Sequence, residues 1–168
     1  MMRIFFTFLM IVTLVIGTFS MNYIMGIGYS PNRSWVYDLG AMNGFSDEIS
    51  LRIFTPASTS QSNIYEVSAY IPILGRNDKN EGYRLGPLVS TEISTNTSFS
   101  IGIYGQYYLG PWRIGVSLVK PLRENVLCPS FDLWYFFSSK GHHFVDYFVT
   151  ELKVGRLSSI SLFFIEPF

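Results

Sequence analysis

The sequence predicts an all-β fold, namely an antiparallel up-and-down transmembrane β-barrel with eight strands, or with ten as the alternative. Two observations carry this prediction. Short segments along most of the chain alternate between apolar and polar residues, which is the period of a strand with two unlike faces. Only 14% of the residues are charged, against about 25% in a typical soluble domain.

The remaining composition excludes several classes of function. Lys plus Arg and Asp plus Glu number 12 each, so no basic excess points to nucleic acid. Cys128 is the single cysteine, which excludes an intramolecular disulfide and a cysteine-rich metal site. We therefore predict no nucleic-acid partner, no metal and no cofactor.

The first 20 residues have the pattern of a cleaved secretory signal. Arg3 is followed by an almost wholly apolar run over residues 4–17, and Thr18 and Ser20 are small enough for a cleavage site after Ser20. The alternative is an uncleaved anchor, but this run is shorter than the roughly 20 residues of a membrane-spanning helix. We expect a signal peptide over residues 1–20 and one barrel domain over residues 21–168.

Turn-forming residues divide the rest of the chain into strand candidates. Nine segments alternate, and the shorter Ser34–Asp38 is a possible tenth. In chain order the nine are Asn22–Tyr29, Asp47–Phe54, Asn63–Leu74, Tyr83–Ser94, the two arms of the hairpin Ser98–Lys120, Ser130–Ser138, His143–Lys153 and Leu157–Glu166. The sequence predicts loops at Gly40–Ser46, Ala57–Ser62, Arg76–Gly82 and Pro121–Pro129.

The hairpin Ser98–Lys120 has the clearest alternation. In its second arm Ile114, Val116 and Leu118 share one face, and Arg113 and Ser117 lie on the other. A soluble barrel would bury the apolar face, whereas a membrane barrel would turn it towards lipid. The opposite faces of the strands are rich in Gly and Ser, which suits a narrow interior that side chains must fill.

The charges on these polar faces balance. Three arginines and three acids form a predicted charge network in the lumen, the interior of the barrel: Arg52, Glu66, Arg84, Glu92, Arg113 and Asp132. Buried charges need partners because an unpaired one is costly. We therefore expect the polar faces inside and the apolar faces against lipid. A secreted soluble barrel with an apolar core predicts the same alternation and is the alternative.

The chain ends in SISLFFIEPF, with Ile160, Leu162 and Phe164 at alternate positions and the aromatic Phe168 last. Together with the signal and the alternating strands, this ending resembles the small bacterial outer-membrane β-barrels of the OmpA/OmpX-like group. The resemblance implies that Ile160, Leu162, Phe164 and Phe168 form the signal read by the barrel assembly machinery. It also implies an even strand number, for which we favour eight, and an outer-membrane location in contact with lipid and lipopolysaccharide.

The resemblance implies a structural, adhesion or surface-interaction role, with a polar lumen filled by side chains. One alternative is a lipid A-modifying enzyme, for which His142 and His143 are the only histidines available as a base. The other is a secreted soluble barrel that binds a hydrophobic ligand. We assign no catalytic residue and leave enzymatic activity open.

Overall fold

The computed structural model describes residues 22–31, 33–43, 47–58, 61–77, 81–138 and 147–166. The predicted signal over residues 1–20, the two histidines and Phe168 lie outside these ranges. All regular elements within them are strands. No helix in this part of the chain is long and apolar enough to cross a membrane.

Eleven strands follow one another in the chain. They are β1 (Asn22–Tyr29), β2 (Trp35–Asn43), β3 (Asp47–Phe54), β4 (Ile64–Tyr70), β5 (Leu74–Asn77), β6 (Glu81–Ile93), β7 (Thr97–Leu109), β8 (Trp112–Pro121), β9 (Cys128–Ser138), β10 (Tyr147–Val154) and β11 (Ser159–Glu166). All pairings are antiparallel, and β1 pairs with β11 while β4 pairs with β6. The sheet therefore closes into a ten-stranded barrel, with β5 as an additional short strand.

Strands β4 and β5 both pair with β6, one after the other along its length. β4 lies opposite residues 88–93 of β6, and β5 lies opposite residues 82–85. Pro72 interrupts the ladder between them because it has no backbone N–H. The N–H groups of Ile71 and Ile73 on either side donate to the carbonyls of Pro87 and Leu85, at 3.3 and 3.0 Å. The predicted single strand Asn63–Leu74 is thus split at its proline.

The expected count of eight strands is wrong, because the barrel has ten. The difference arises at Ser34–Asp38, which belongs to a full strand, β2, that continues through most of the predicted loop Gly40–Ser46. A Cβ at Gly40 would lie 2.8 Å from the carbonyl oxygen of Ile49. Glycine therefore permits close strand approach here and does not mark a turn.

The apolar faces lie outside and the polar faces inside, as the small, charge-balanced polar faces predict. Val116 is 56% exposed on the outer surface, whereas Arg113, three residues earlier in the same strand, is 1% exposed. The turn of this hairpin contains Gly110 with a φ of 56°, a conformation that suits glycine.

Apolar side chains fill the interior at two levels. We call the end where β1 begins and β11 ends the terminal end, and the opposite end the distal end. Near the terminal end, one interior cluster consists of Ile24, Met42, Trp134, Val149, Phe163 and Ile165. Near the distal end, Val36, Phe54 and Ile64 form a smaller cluster against Leu157. Polar groups occupy the space between and beside them.

Candidate functional site

The interior contains a cavity of about 130 Å³ that reaches the distal end. Its walls come from β3, β4, β6, β7, β8, β9 and β10. Charged and hydroxyl-bearing side chains line most of it, and Tyr70, Tyr104 and Trp134 add aromatic surface. We call this space the distal cavity.

One buried ion cluster joins three strands beside the cavity. Arg52 Nε lies 2.7 Å from Asp38 Oδ1, and Arg52 Nη2 lies 2.6 Å from Glu151 Oε2. Trp134 Nε1 donates to Glu151 Oε1 at 2.9 Å. Each of the three ionic residues is at most 6% exposed. The cluster therefore ties β2, β3 and β10 together in a region that water hardly reaches.

A second buried arginine, Arg113, lies at the level of Trp134. Its guanidinium carbon is 3.2 Å from the centroid of the Trp134 ring, so the two planes are stacked. Arg113 also lies 3.3 Å from Glu48 Oε2 and 4.0 Å from Asp132 Oδ1. Tyr104 donates its hydroxyl proton to the same Asp132 oxygen at 2.9 Å. This group occupies the interior between β3, β7, β8 and β9.

Two further ion pairs lie on the distal side of the cavity. Lys153 Nζ is 3.1 Å from Glu66 Oε2, with both side chains about one-fifth exposed. Arg156 Nε is 3.8 Å from Glu92 Oε2, and the arginine side chain is 49% exposed. Charge pairing thus extends from the buried layer to the cavity's distal edge.

The structure brings together only part of the predicted charge network. Arg113 and Asp132 contact one another. Arg52, Glu66 and Glu92 instead pair with charges that the sequence reasoning left out. Arg84 takes part in none of the ion pairs among the described residues, and its guanidinium carbon lies 5.9 Å from the Tyr108 ring centroid.

The missed partners are Asp38, Glu48, Glu151, Lys153 and Arg156. Strand parity was a usable signal for two of them. Glu151 and Lys153 alternate with outward residues in β10, but Asp146 made that segment look irregular. The sequence gives little signal for Asp38, because only the short segment Ser34–Asp38 at the start of its strand β2 alternates clearly.

Serine hydroxyls form a row along one wall of the distal cavity. Ser50, Ser68, Ser90 and Ser100 lie directly opposite one another on β3, β4, β6 and β7. The hydroxyl oxygens of Ser50 and Ser68 are 2.7 Å apart. A second cross-strand pair, Ser117 and Ser130, has its oxygens 2.6 Å apart. The wall therefore presents groups that can both donate and accept hydrogen bonds.

We expect Gly115→Ala to destabilise the barrel, because a Cβ there would lie 2.3 Å from both Asp132 Oδ2 and the Tyr104 hydroxyl oxygen. The clash would disturb the hydrogen bond between these groups, at a cost of about 1–3 kcal/mol. Gly105→Ala is the matched control, since its nearest contact would be 3.4 Å away. Urea unfolding of the two variants checks this, and equal stabilities would contradict the geometry.

The predicted assembly signal lies on the strand that closes the barrel. Ile160 and Leu162 are 62% and 39% exposed on the outer face, and Phe164 shares that face. Strand β11 pairs with β10 on one side and with β1 on the other. That the barrel assembly machinery recognises this segment stays a prediction.

The described residues hold no group of three or more His, Cys, Asp or Glu side chains arranged to bind a metal ion. Comparisons with protein-family models, with curated proteins and with solved structures find no match.

Proposed function

We propose that this chain is an integral outer-membrane β-barrel with a structural, adhesion or surface-interaction role and a lumen filled by side chains. The observation that supports it is the inversion of polarity. Among the described residues, 32 large hydrophobic side chains are exposed and only 12 hydrophobic residues are buried in the interior. A barrel surrounded by water would have to leave this surface exposed, whereas a lipid environment covers it.

The placement of exposed aromatic residues supports the same proposal. Amphipathic rings favour the two interfaces between hydrocarbon and water, where membrane barrels carry aromatic girdles. Exposed tyrosine and tryptophan rings nearer the terminal end include Tyr23, Tyr83, Tyr107 and Trp112, and those nearer the distal end include Tyr29, Trp35, Tyr37 and Tyr65. Two such groups, one at each end of the strands, match a band of lipid between them.

Fractionation tests the proposal. The chain, expressed with its first 20 residues in a Gram-negative host, should be recovered in the outer-membrane fraction. On a denaturing gel the unheated protein should migrate faster than the heated protein. A closed barrel resists unfolding by the detergent until it is heated, and the folded form is more compact. Recovery as a soluble protein in the periplasm or medium would contradict the proposal.

We expect the purified barrel to show no reproducible conductance steps in a planar lipid bilayer. The stacked Arg113 and Trp134 and the apolar cluster around Phe163 occupy the interior on the terminal side of the cavity. Filled interiors of this kind do not form open channels. A known porin in the same bilayer is the positive control, and uniform steps from this barrel would contradict the filled lumen.

The two alternative functions gain no support from the described residues. Most residues that line the distal cavity are charged or carry a hydroxyl, and covering these groups with a hydrophobic ligand would cost free energy. The two histidines needed for an enzymatic role lie outside the described ranges. We therefore retain the membrane barrel as the single proposal.

A further inference from the structure

We propose that the distal cavity is a binding site for a small, uncharged, polyhydroxylated molecule of the size of one sugar ring. This binding site depends on the side chains inside the barrel and not on whether lipid or water surrounds the barrel. It therefore goes beyond the proposed function and can fail independently of it.

The first argument is that buried donors in the wall have no partner within the described chain. Arg52 Nη1 and the Tyr70 hydroxyl make no hydrogen bond there. Both residues line the cavity, and they are only 6% and 3% exposed. Buried polar groups are nearly always hydrogen-bonded, and a small rotation of each side chain would turn these two covered donors towards an acceptor in the cavity. A ligand hydroxyl oxygen supplies one.

The second argument concerns charge. The four basic side chains that line the cavity, Arg52, Arg113, Lys153 and Arg156, each lie within 4.0 Å of a carboxylate. An anion or a cation would have to compete with one of these existing pairs. A neutral ligand leaves the pairs intact, so the wall favours an uncharged molecule.

The third argument combines hydrogen-bonding capacity with size. Serine hydroxyls can donate or accept, whereas the carboxylates of Glu66 and Glu92 accept. A polyhydroxylated ligand matches both kinds of group because each of its hydroxyls can do either. The volume of about 130 Å³ is close to the roughly 150 Å³ cavity that holds one benzene ring. A six-membered ring with hydroxyl substituents is larger than benzene, so part of it would extend from the cavity towards the distal end.

Saturation-transfer NMR on the barrel in detergent micelles tests the site with D-glucose and myo-inositol as probes. We expect saturable, millimolar binding of at least one of them. Inorganic phosphate and choline, which are small enough to enter the cavity but charged, should not displace it. A gel of the same samples, on which the unheated protein migrates faster than the heated protein, shows that the barrel is folded.

A matched pair of variants places the site. Ser90→Leu directs a bulky side chain into the cavity, whereas Thr91→Leu puts the same side chain on the outer face one residue along β6. We expect binding to weaken at least about tenfold in the first variant and to be unchanged in the second. Tyr70→Phe, which removes one hydroxyl, should weaken binding about fivefold.

Three results would overturn the inference in barrels that still migrate as folded. They are the absence of saturable binding by either probe, equal binding by the Ser90→Leu and Thr91→Leu variants, and displacement of the probe by phosphate or choline. None of these results would affect fractionation with the outer membrane, so failure here is distinguishable from failure of the proposed function.

Discussion

Replacing Val116 with arginine should prevent insertion of the barrel into the membrane, whereas the same replacement at Val126 should not. Val116 lies in the middle of β8 and is 56% exposed. If the outer face meets lipid, arginine there costs about 2–4 kcal/mol. Val126 lies in the connection between β8 and β9 and is 57% exposed, so arginine there remains in water.

The near-equal exposure of the two valines makes this comparison decisive. A soluble barrel would tolerate both changes equally, because each side chain would already face water. Two quantities are measured for each variant. The first is the amount of protein in the outer-membrane fraction that migrates faster before heating than after it, and the second is the yield of folding into lipid vesicles. Normal assembly of the Val116→Arg variant would show that the outer face does not meet lipid.

The second large effect is expected for Arg52→Met. Arg52 is the cation that contacts both Asp38 and Glu151, and its removal would leave two buried carboxylates without compensation. Breaking a buried ion pair from one side typically costs about 3–5 kcal/mol of folding free energy. We expect a loss of that size in urea unfolding followed by tryptophan fluorescence.

Two controls identify the cause of this loss. Arg156→Met removes a partly exposed arginine 3.8 Å from Glu92, and a pair of that kind contributes less than about 1 kcal/mol. The triple variant Asp38→Asn, Arg52→Met, Glu151→Gln removes the uncompensated charges and should regain much of the stability. Equal losses for the two arginines, or no recovery in the triple variant, would contradict the buried cluster.

Local patterns predicted much of the wall because side-chain direction in a strand alternates with every residue. The hairpin alone places Arg113 and Val116 on opposite faces, and the balanced charges of the other strands indicate that Arg113 points inward. The same reasoning failed at Gly40, where a residue typical of turns lies inside a strand. Whether such a glycine ends a strand depends on how closely the neighbouring strand approaches, which is a tertiary property.

For the ion pairs too, the sequence predicted the direction of a side chain but not its partner. The sequence indicated that Arg52 faces a lumen where it needs acidic partners, but Glu151 is 99 residues away in the chain. Which carboxylate meets it depends on the register of ten strands and on closure of β1 against β11. The unforeseen pairs of Glu66 with Lys153 and of Glu92 with Arg156 have the same origin.

The sequence by itself therefore determined the strand class and the two unlike faces, since both depend on residues two positions apart, and the balance of charge over all the polar faces indicated that these faces point inward. Only the tertiary structure decided the number of strands, the ion pairs across the lumen and the existence of the distal cavity. These depend on which distant strands become neighbours, and no local pattern encodes that when a one-residue shift in register changes every cross-strand contact.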